Sequence, residues 1–335
     1  MGFSSKSEAI LETLTLDIMK SSEIEGEKLN RKQVRSSIAR RLGLETGGLT
    51  FVDKNIEGVV EMLLDATQNY TQPLSEDRLF GWHSALFPSG RNGMYKIEVG
   101  QYRAGEIQVI SGAMGREKVH YEAVEAKNVK PEMDKFINWV NEKSPIDLVI
   151  KSAIAHLWFV TIHPFDDGNG RIARAISDML LARSDGSSQR FYSMSNQILK
   201  ERKKYYAALE KTQLGNSDIT LWLNWFLNCL KNSLINAETT LNSVLNKAEF
   251  WKKITAITIN DRQKLMINKI LDGFSGKLTS SKWAKITKCS SDTALRDIKD
   301  LIKKGILKQD EAGGRSANYM LIIENRSYYS PPLTL

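Results

Sequence analysis

Twelve consecutive residues, numbered 163–174 and reading HPFDDGNGRIAR, combine side chains that suit chemistry on phosphate groups. His163 titrates near neutral pH and is a candidate general base for an attacking hydroxyl group. Gly168 and Gly170 let a ligand approach the main chain closely, and a helix starting there directs unpaired N–H groups at an anion. Asn169, between the glycines, offers a side-chain hydrogen bond to a phosphate oxygen.

Two arginines and two aspartates of the same stretch extend this interpretation. Arg171 and Arg174 lie three residues apart on the polar side of the predicted helix, where two guanidinium groups suit a di- or triphosphate. Asp167, or alternatively Asp166, is a candidate ligand for Mg²⁺, a hard cation that binds carboxylate and phosphate oxygens. A structural alternative for Arg174 is an ion pair with Asp178 one turn further on. The combination predicts a phosphoryl-type transfer.

Helical periodicity on both sides predicts that the motif is a loop between two buried helices. A first helix over 7–20 is predicted to end at Gly26. Asn30 and Gln33 resemble the capping box of a second helix. The apolar residues that define the two helices around the motif are Ile150, Ala153, Ile154, Leu157, Trp158, Thr161 and Ile162 before it, and Ile172, Ala175, Ile176, Met179 and Leu180 after it.

Residues 98–112 interrupt the helical pattern and predict two short strands around a turn at 104–106. A further helix is predicted from near Pro131 to Asn141. The predicted fold is therefore mainly α, a helical bundle with a small β-hairpin. We assign an N-terminal helical region to 1–95 and a core to 96–250, with helices over about 195–212 and 218–250.

The segment 256–325 changes character, because it contains Lys-rich helices of modest length followed by a Gly-Gly-Arg turn and a short strand. Three helices and a hairpin predict a winged helix-turn-helix. In this interpretation Ser291, Thr293 and Arg296 lie on a recognition helix, and Arg315 lies in the wing. Asp292, Asp297 and Asp300 oppose a DNA-binding role, because they dilute the basic face.

Composition sets broad limits on the class of protein. The 335 residues carry a formal net charge of +8, which suits either solubility or an anionic partner such as a nucleotide. Two cysteines without metal-type spacing predict a reduced, cytoplasmic protein. No apolar stretch approaches the length of a membrane span.

The motif resembles the signature of the Fic (filamentation induced by cAMP) family, HPFx[DE]GNGRxxR, at every specified position. The resemblance implies a helical domain that uses ATP and Mg²⁺ to transfer AMP to a Ser, Thr or Tyr hydroxyl of a target protein. It implies that His163 is the base and Asp167 the metal ligand. It also implies an anion hole at 168–170 and polyphosphate binding by Arg171 and Arg174. A kinase-like branch of the family has lysine at the position of Gly170, so AMP transfer is favoured.

Two further segments are similar to Fic elements. Residues 98–112 resemble the flap hairpin that holds a target, which implies target contacts by Gly105, Glu106, Ile107, Gln108 and Val109. The segment YYAALEKTQ at 205–213 resembles the adenosine-pocket helix and implies nucleotide contacts by Tyr206 and Gln213, although Asn is common at the latter position. Core packing is the structural alternative for both tyrosines.

The segment SSEIEG at 21–26 matches the Fic inhibitory motif [ST]xxxE[GN] through Ser21, Glu25 and Gly26. The resemblance implies that Glu25 pairs with Arg174 and takes the guanidinium that binds the γ-phosphate. The alternatives left open are removal of AMP from a modified protein, and a DNA-binding regulator with the Fic domain as its sensor. Winged helices also mediate protein contacts, and a homodimer is one open form of assembly.

Overall fold

A computed structural model describes residues 5–44, 51–111, 118–274, 276–310 and 318–322. The chain divides into two compact units, residues 1–240 and 241–335. Among the described helices, none carries an apolar run long enough to cross a lipid bilayer.

The first unit is built mainly from helices, as the sequence predicts. Its elements are α1 (Ser5–Ile24), α2 (Arg31–Arg41), α3 (Lys54–Gln68), α4 (Glu76–Leu86), β1 (Arg91–Asn92), β2 (Tyr95–Lys96), β3 (Gln108–Ser111), β4 (Lys118–Glu122), α5 (Ala126–Asn141), α6 (Leu148–Ile162), α7 (Asn169–Asp185), α8 (Met194–Lys200), α9 (Arg202–Gln213) and the beginning of α10 (Thr220–Lys253).

Helices α6 and α7 form the centre of this unit. The predicted apolar face of α7 is buried, and Ile172, Ala175 and Ile176 have no exposed surface. Of the predicted face of α6, Ala153, Leu157 and Ile162 are buried, whereas Ile150, Ile154, Trp158 and Thr161 are only partly buried. Because the two helices pack against each other, the loop 163–168 between them is held at both ends by the core. The N-terminal helix α1 joins the same core through Leu11, Leu14 and Ile18, among others.

Two local predictions about helix ends need correction. The N-cap of α2 is Asn30, whose side chain accepts from the N–H groups of Lys32 and Gln33. The Gln33 side chain does not close the predicted capping box, because its oxygen accepts instead from the N–H of Asp53 at 3.1 Å. Helix α5 begins at Ala126 rather than near Pro131, so the proline lies inside the helix.

The predicted hairpin over 98–112 is also wrong in its pairing. Of the described residues in this segment, only 108–111 form a strand, and the antiparallel partner of that strand is β4 at 118–122. Residues 104–106 make no hairpin turn, because Arg103 binds this segment to the motif loop. Its N–H donates to the carbonyl of Pro164, and its guanidinium donates to the carbonyls of His163 and Gly105. Residues 112–117, between the two strands, lie outside the described residues.

The second unit contains the end of α10, then α11 (Asp261–Leu271), α12 (Ser280–Thr287), α13 (Ser291–Lys303), β5 (Leu307–Gln309) and β6 (Tyr319–Leu321). Strands β5 and β6 pair antiparallel. Trp283, Ile298 and Leu301 are fully buried in a separate core. The winged-helix assignment stays a prediction, and Arg315 lies outside the described residues.

Candidate active site

The backbone of the motif loop adopts two left-handed conformations. His163 caps the end of α6 with φ 53° and ψ 58°. Gly168 precedes α7 with φ +80°, and a Cβ atom there would lie 3.0 Å from the Phe87 ring. Glycine is favoured at this position, because other residues rarely adopt this dihedral angle and an added Cβ atom would press on the Phe87 ring. The loop therefore places the N-terminus of α7 beside His163.

Asn169 braces the loop from inside. Its side-chain oxygen accepts from the N–H of Phe165 at 3.0 Å, and its amide donates to the carbonyl of Phe165 at 2.7 Å. The residue is buried, and its side-chain amide has a second N–H beyond the one that Phe165 receives. The contact of this amide with a phosphate oxygen stays a prediction. Phe165 packs in the core as predicted and stacks on His83 with centroids 4.2 Å apart.

His163 presents its Nε2 atom as the available base. Its Nδ1 lies 3.2 Å from the carbonyl oxygen of Val160. Because a carbonyl only accepts, Nδ1 carries the proton and the lone pair is on Nε2. Burial lowers the pKa of His163 from its ordinary value of 6.5, and the Arg103 charge adds to this effect. The ring is therefore neutral at pH 7.

Asp167 and Asp166 have different neighbours. The Asp167 carboxylate accepts from the side chain of Asn92 at 2.5 Å and from the N–H of Gly168 at 2.5 Å. Asp166 accepts from the N–H of Glu98 at 3.1 Å. Both remain partly exposed. Within the described residues no group of three or more His, Cys, Asp or Glu could hold a metal alone.

Arg174 is held by the end of α1. Its Nε donates to the hydroxyl of Ser21 at 2.9 Å, and its Nη2 donates to the Ser21 carbonyl at 3.0 Å and to Glu25 Oε1 at 2.7 Å. The alternative ion pair is wrong, because Asp178 pairs with Arg190 instead, at 2.6 Å.

The helix α1 ends in a way that delivers Glu25 to this position. The N–H groups of Glu25 and Glu27 both donate to the carbonyl of Ser22, and Gly26 follows with φ +89°. This left-handed residue ends the helix, as predicted. The Glu25 carboxylate rests directly on the backbone of Gly170, where a Cβ atom would lie less than 3.0 Å from Oε1. An acidic group thus occupies the start of α7, where a phosphate is expected to bind.

The two motif arginines are not on a solvated face. Arg171 and Arg174 have only 6% and 3% of their surface exposed. The Arg171 guanidinium stacks on Phe87 at 5.0 Å and donates to Glu27 at 3.1 Å. The sequence predicted that both lie on the polar side of the helix, but α1 and the segment after α4 cover them. A buried guanidinium requires an acidic partner, and here each has one.

One cavity of about 1070 Å³ brings five of the predicted site residues together, whereas Asp167, Arg171, Arg174 and the predicted flap residues do not line it. His163, Gly170 and Glu25 line one part, and the helix α9 lines another through Tyr206 and Gln213. The two tyrosines differ, because Tyr205 is buried in the core while Tyr206 is 41% exposed. Gln213 donates to the hydroxyl of Thr161 at 3.2 Å. The volume suits a nucleotide.

Sequence reasoning missed several residues around this cavity. A basic group at the α8–α9 junction lines it, and so do apolar side chains that suit a nucleobase. Three contacts of the motif also went unrecognised: Glu27 with Arg171, Asn92 with Asp167, and Arg103 with the loop. For Glu27, the only signal in the sequence was that acidic residues occupy alternate positions after Ser21, at Glu23, Glu25 and Glu27. The lining residues in question are Lys200, Arg202, Lys203, Lys204, Val160, Leu199 and Leu209.

The predicted target-binding residues are divided between coil and strand. Gly105, Glu106 and Ile107 form the coil that follows Arg103, whereas Gln108 and Val109 begin β3. Glu106 accepts from the N–H of Ala126 at the start of α5, at 3.1 Å. The predicted flap is therefore an anchored coil that leads into one strand.

Comparison with known families matches residues 73–181 to the Fic/DOC family and residues 1–44 to a domain of unknown function, DUF4172. Protein adenylyltransferase fic-1 of Caenorhabditis elegans is 31% identical over 115 residues, which cover 34% of this chain and 21% of that protein. A probable protein adenylyltransferase of Aquifex aeolicus is 35% identical over 79 residues, 24% of this chain and 22% of that protein. The matches thus span about a fifth of each relative's length.

Two solved structures share the fold. A Fic family protein from Desulfovibrio desulfuricans G20 aligns with a TM-score of 0.53 and 21% identity, covering 94% of this chain and 88% of its own. A Fic domain containing signalling protein from Bacteroides thetaiotaomicron aligns with a TM-score of 0.52 and 21% identity, covering 71% of this chain and 90% of its own. The chain carries a Fic domain.

Proposed function

We propose that this protein transfers AMP from ATP to a hydroxyl group of a target protein and releases pyrophosphate. The observation that carries the proposal is the shared cavity, in which a neutral histidine, the start of α7 and the helix α9 face one another. The names of the relatives support the reaction class, because the relatives from Caenorhabditis elegans and Aquifex aeolicus are a protein adenylyltransferase and a probable one.

The chain's own groups account for each part of this reaction. The target oxygen forms a bond to the α-phosphorus of ATP, and the bond from that phosphorus to the pyrophosphate oxygen breaks. Nε2 of His163 accepts the hydroxyl proton. The backbone N–H groups at the start of α7 receive the negative charge of the phosphates. Arg171 and Arg174 hold the β- and γ-phosphates.

Asp167 would hold Mg²⁺ in this reaction. Its single carboxylate is a hard oxygen donor, which fits an ion that completes its shell with phosphate oxygens and water. The hydrogen bonds from the Asn92 side chain and the Gly168 N–H orient that carboxylate beside the N-terminus of α7. When bound, the ion would supply positive charge to the phosphates.

We also propose that Glu25 inhibits the transfer. Its carboxylate pairs with the Arg174 guanidinium and covers the backbone of Gly170. A triphosphate needs both of these groups. ATP that binds beside Glu25 has its γ-phosphate displaced, and its α-phosphorus is turned away from the attacking hydroxyl. A misplacement of about 1 Å can cost about a hundredfold in rate.

The edge of β3 is the proposed docking site for the target. The sheet β3–β4 has two strands, so in the described part of the chain one edge of β3 has no strand partner. An extended target segment can add to such an edge through backbone hydrogen bonds. Arg103 joins the coil before β3 to the carbonyl of His163 at 2.7 Å, which keeps a docked segment near the base.

ATP labelled at the α- or the γ-phosphate tests the proposed reaction. The Glu25→Gly variant is incubated with cell lysate, and label on protein is measured beside the wild type and a Glu25→Gly/His163→Ala control. Label from the α-position alone, lost with His163, is the expected result. Label from the γ-position alone means kinase activity, and no label from either position contradicts both transfer reactions.

Binding of DNA by the second unit is a second candidate function, favoured by one observation. The sequence suggested that Asp297 and Asp300 dilute a basic face of α13. Asp297 is instead buried and accepts from Arg262 at 2.8 Å, and Asp300 accepts from Gln263 at 2.8 Å. Arg296 and Lys299 remain exposed on that helix, together with Lys303 and Asp292.

Salt dependence of binding tests this second function. Binding to a random DNA duplex is expected to weaken steeply as salt rises, because counterions are released from the phosphates. A double variant, Arg296→Ala/Lys299→Ala, is expected to weaken it further. Absence of binding at low salt would remove the DNA function and leave protein contacts as the role of this unit.

A further inference from the structure

A short hairpin, whose tip the proposed reaction does not use, lies beside the motif loop. Strands β1 and β2 pair antiparallel across a two-residue turn, with Asn92 opposite Tyr95. Gly93 begins this turn with φ +58°, which fits a type II′ turn with glycine in its first central position. Every residue of 91–96 is exposed, so none of them packs in the core of the first unit.

The segment from this hairpin to Arg103 runs beside the motif loop in the opposite direction. Hydrogen bonds join the two segments, and they connect residues in reverse order along the chain. The pairs, from the end of the loop to its start, are Asn92 with Asp167 at 2.5 Å, Glu98 with Asp166 at 3.1 Å, Arg103 with Pro164 at 2.9 Å and Arg103 with His163 at 2.7 Å. The hairpin therefore lies at the Asp167 end of the loop, whereas the coil that leads to β3 lies at the His163 end.

A target segment that reaches the base is also close to this hairpin. The loop from His163 to Asp167 spans four residue steps, so the Cα atoms at its two ends are at most about 14 Å apart. An extended peptide covers that length in about four residues. A target chain that adds to the edge of β3, presents its hydroxyl to His163 and continues along the loop therefore comes within reach of the hairpin tip.

The tip presents two large side chains to solvent and is held in place. Met94 is 90% exposed and Tyr95 is 74% exposed. The Arg91 guanidinium donates to the carbonyl of Met94 at 3.1 Å, and the cross-strand partner of Tyr95 is Asn92, which is bonded to the loop. Methionine and tyrosine are enriched in protein interfaces. Adjacent apolar side chains that are fixed but unburied are typical of a surface that another molecule covers.

We propose that the β1–β2 hairpin is a second docking surface for the target protein, on which Met94 and Tyr95 contact apolar side chains within about four residues of the modified hydroxyl. The edge of β3 binds the main chain of the target, whereas the hairpin selects its side chains. The occupant is the target rather than a second copy of this chain, because the hairpin is bonded to the motif loop itself. The inference rests on the proposed AMP transfer, since it adds a recognition element to the same site.

Labelling of lysate proteins with α-labelled ATP tests this assignment. In the Glu25→Gly background, Met94→Ser/Tyr95→Ser is compared with Leu234→Ser/Ile235→Ser, a control that replaces two adjacent exposed apolar side chains on α10. The hairpin variant is expected to label proteins about tenfold more slowly, the effect of losing apolar contacts at an interface. Its affinity for ATP with Mg²⁺, measured by calorimetry, is expected to stay within about twofold of the parent, and the control is expected to match the parent in both measurements.

Three results would count against the assignment in different ways. Labelling by the hairpin variant at the rate of the parent would overturn it. A loss of affinity for ATP with Mg²⁺ that accounts for the loss of labelling would also overturn it, because the hairpin would then act through Asp167 rather than on the target. If the Glu25→Gly parent labels no protein from the α-position, the proposed function fails, and the assignment fails with it.

A photo-crosslinking residue at the tip identifies the occupant directly. Tyr95→p-benzoylphenylalanine is compared with Phe51→p-benzoylphenylalanine, because Phe51 is an exposed aromatic residue before α3. Cross-links from position 95 are expected to join the chain to the same proteins that carry the α-label, identified by mass spectrometry, and those from position 51 are not. Cross-links to a second copy of this chain, or to unlabelled proteins alone, would overturn the assignment.

Discussion

The two halves of the motif loop differ in what holds them. The first half, from His163 to Gly168, is braced by its own neighbours: Asn169 bonds the backbone of Phe165 twice, and Arg103 bonds the carbonyl of His163. The second half carries Arg174, which is bonded to Ser21 and Glu25 about 150 residues earlier in the chain. Under the proposed function, the base is in place for reaction, whereas the arginine proposed to bind the γ-phosphate is paired with Glu25. The proposed regulation then acts only on the second half.

Among the changes to the two halves of the loop, loss of the base is expected to have the largest effect, which is on the rate of AMP transfer. In the Glu25→Gly background, His163→Ala should lower the rate of AMP transfer by about 10²–10⁴-fold, the usual contribution of a general base. ATP affinity, measured by calorimetry, should change little, because in the proposed reaction His163 acts on the target's proton. A variant that transfers AMP at an unchanged rate would show that the first half of the loop does not supply the base.

The two acidic partners of the motif arginines offer a matched pair. Glu25→Gly should raise AMP transfer about a hundredfold, because it frees Arg174 and the backbone of Gly170. Glu27→Gly removes a partner of Arg171 that is 40% exposed, and should change the rate less than about fivefold. Rates are measured with α-labelled ATP. Equal effects of the two variants would contradict a special role for Glu25.

The brace of the first half is expected to contribute to stability. Asn169→Ala leaves the N–H and carbonyl of Phe165 without partners and should cost about 1–3 kcal/mol of unfolding free energy. Asp166→Asn alters a partly exposed residue and should stay within about 0.5 kcal/mol. Urea unfolding of the full chain measures the free-energy change of both variants. The transition to be compared is the one that ATP shifts to higher urea, because ATP stabilises the part of the chain that binds it. If Asn169→Ala leaves the free energy of unfolding unchanged, contacts other than the two hydrogen bonds of Asn169 hold the loop.

The pH dependence should show the smallest change. The pKa of His163 lies below 6.5, so Nε2 is mainly unprotonated from pH 8 down to pH 6.5. It becomes protonated, and stops acting as a base, only at lower pH. Glu25 raises this pKa, and its removal extends the range further. In Glu25→Gly, kcat/KM for transfer should change less than about twofold between pH 8 and pH 6.5. A fall that begins above pH 6.5 would contradict a neutral, buried base.

The loop and the hairpin show how far sequence reasoning reached. The helix–loop–helix around the motif could be predicted, because its apolar periodicity and its glycines lie within a few turns of one another. The hairpin was placed wrongly, because the strand that pairs with Gln108 and Val109 begins only at Lys118, beyond the segment that the sequence analysis considered. Periodicity in four residues does not identify a partner.

The sequence by itself determined the types of group in the site: a histidine before a Gly-Asn-Gly helix start, with arginines one turn on. These features depend on local backbone conformation, which the residues within one turn decide. Only the tertiary structure decided that Asn169 bonds Phe165, that Asp178 pairs with Arg190, and that Glu25 lies on Gly170. The partner of a buried polar group is whichever segment packs over it, and that choice depends on the whole fold.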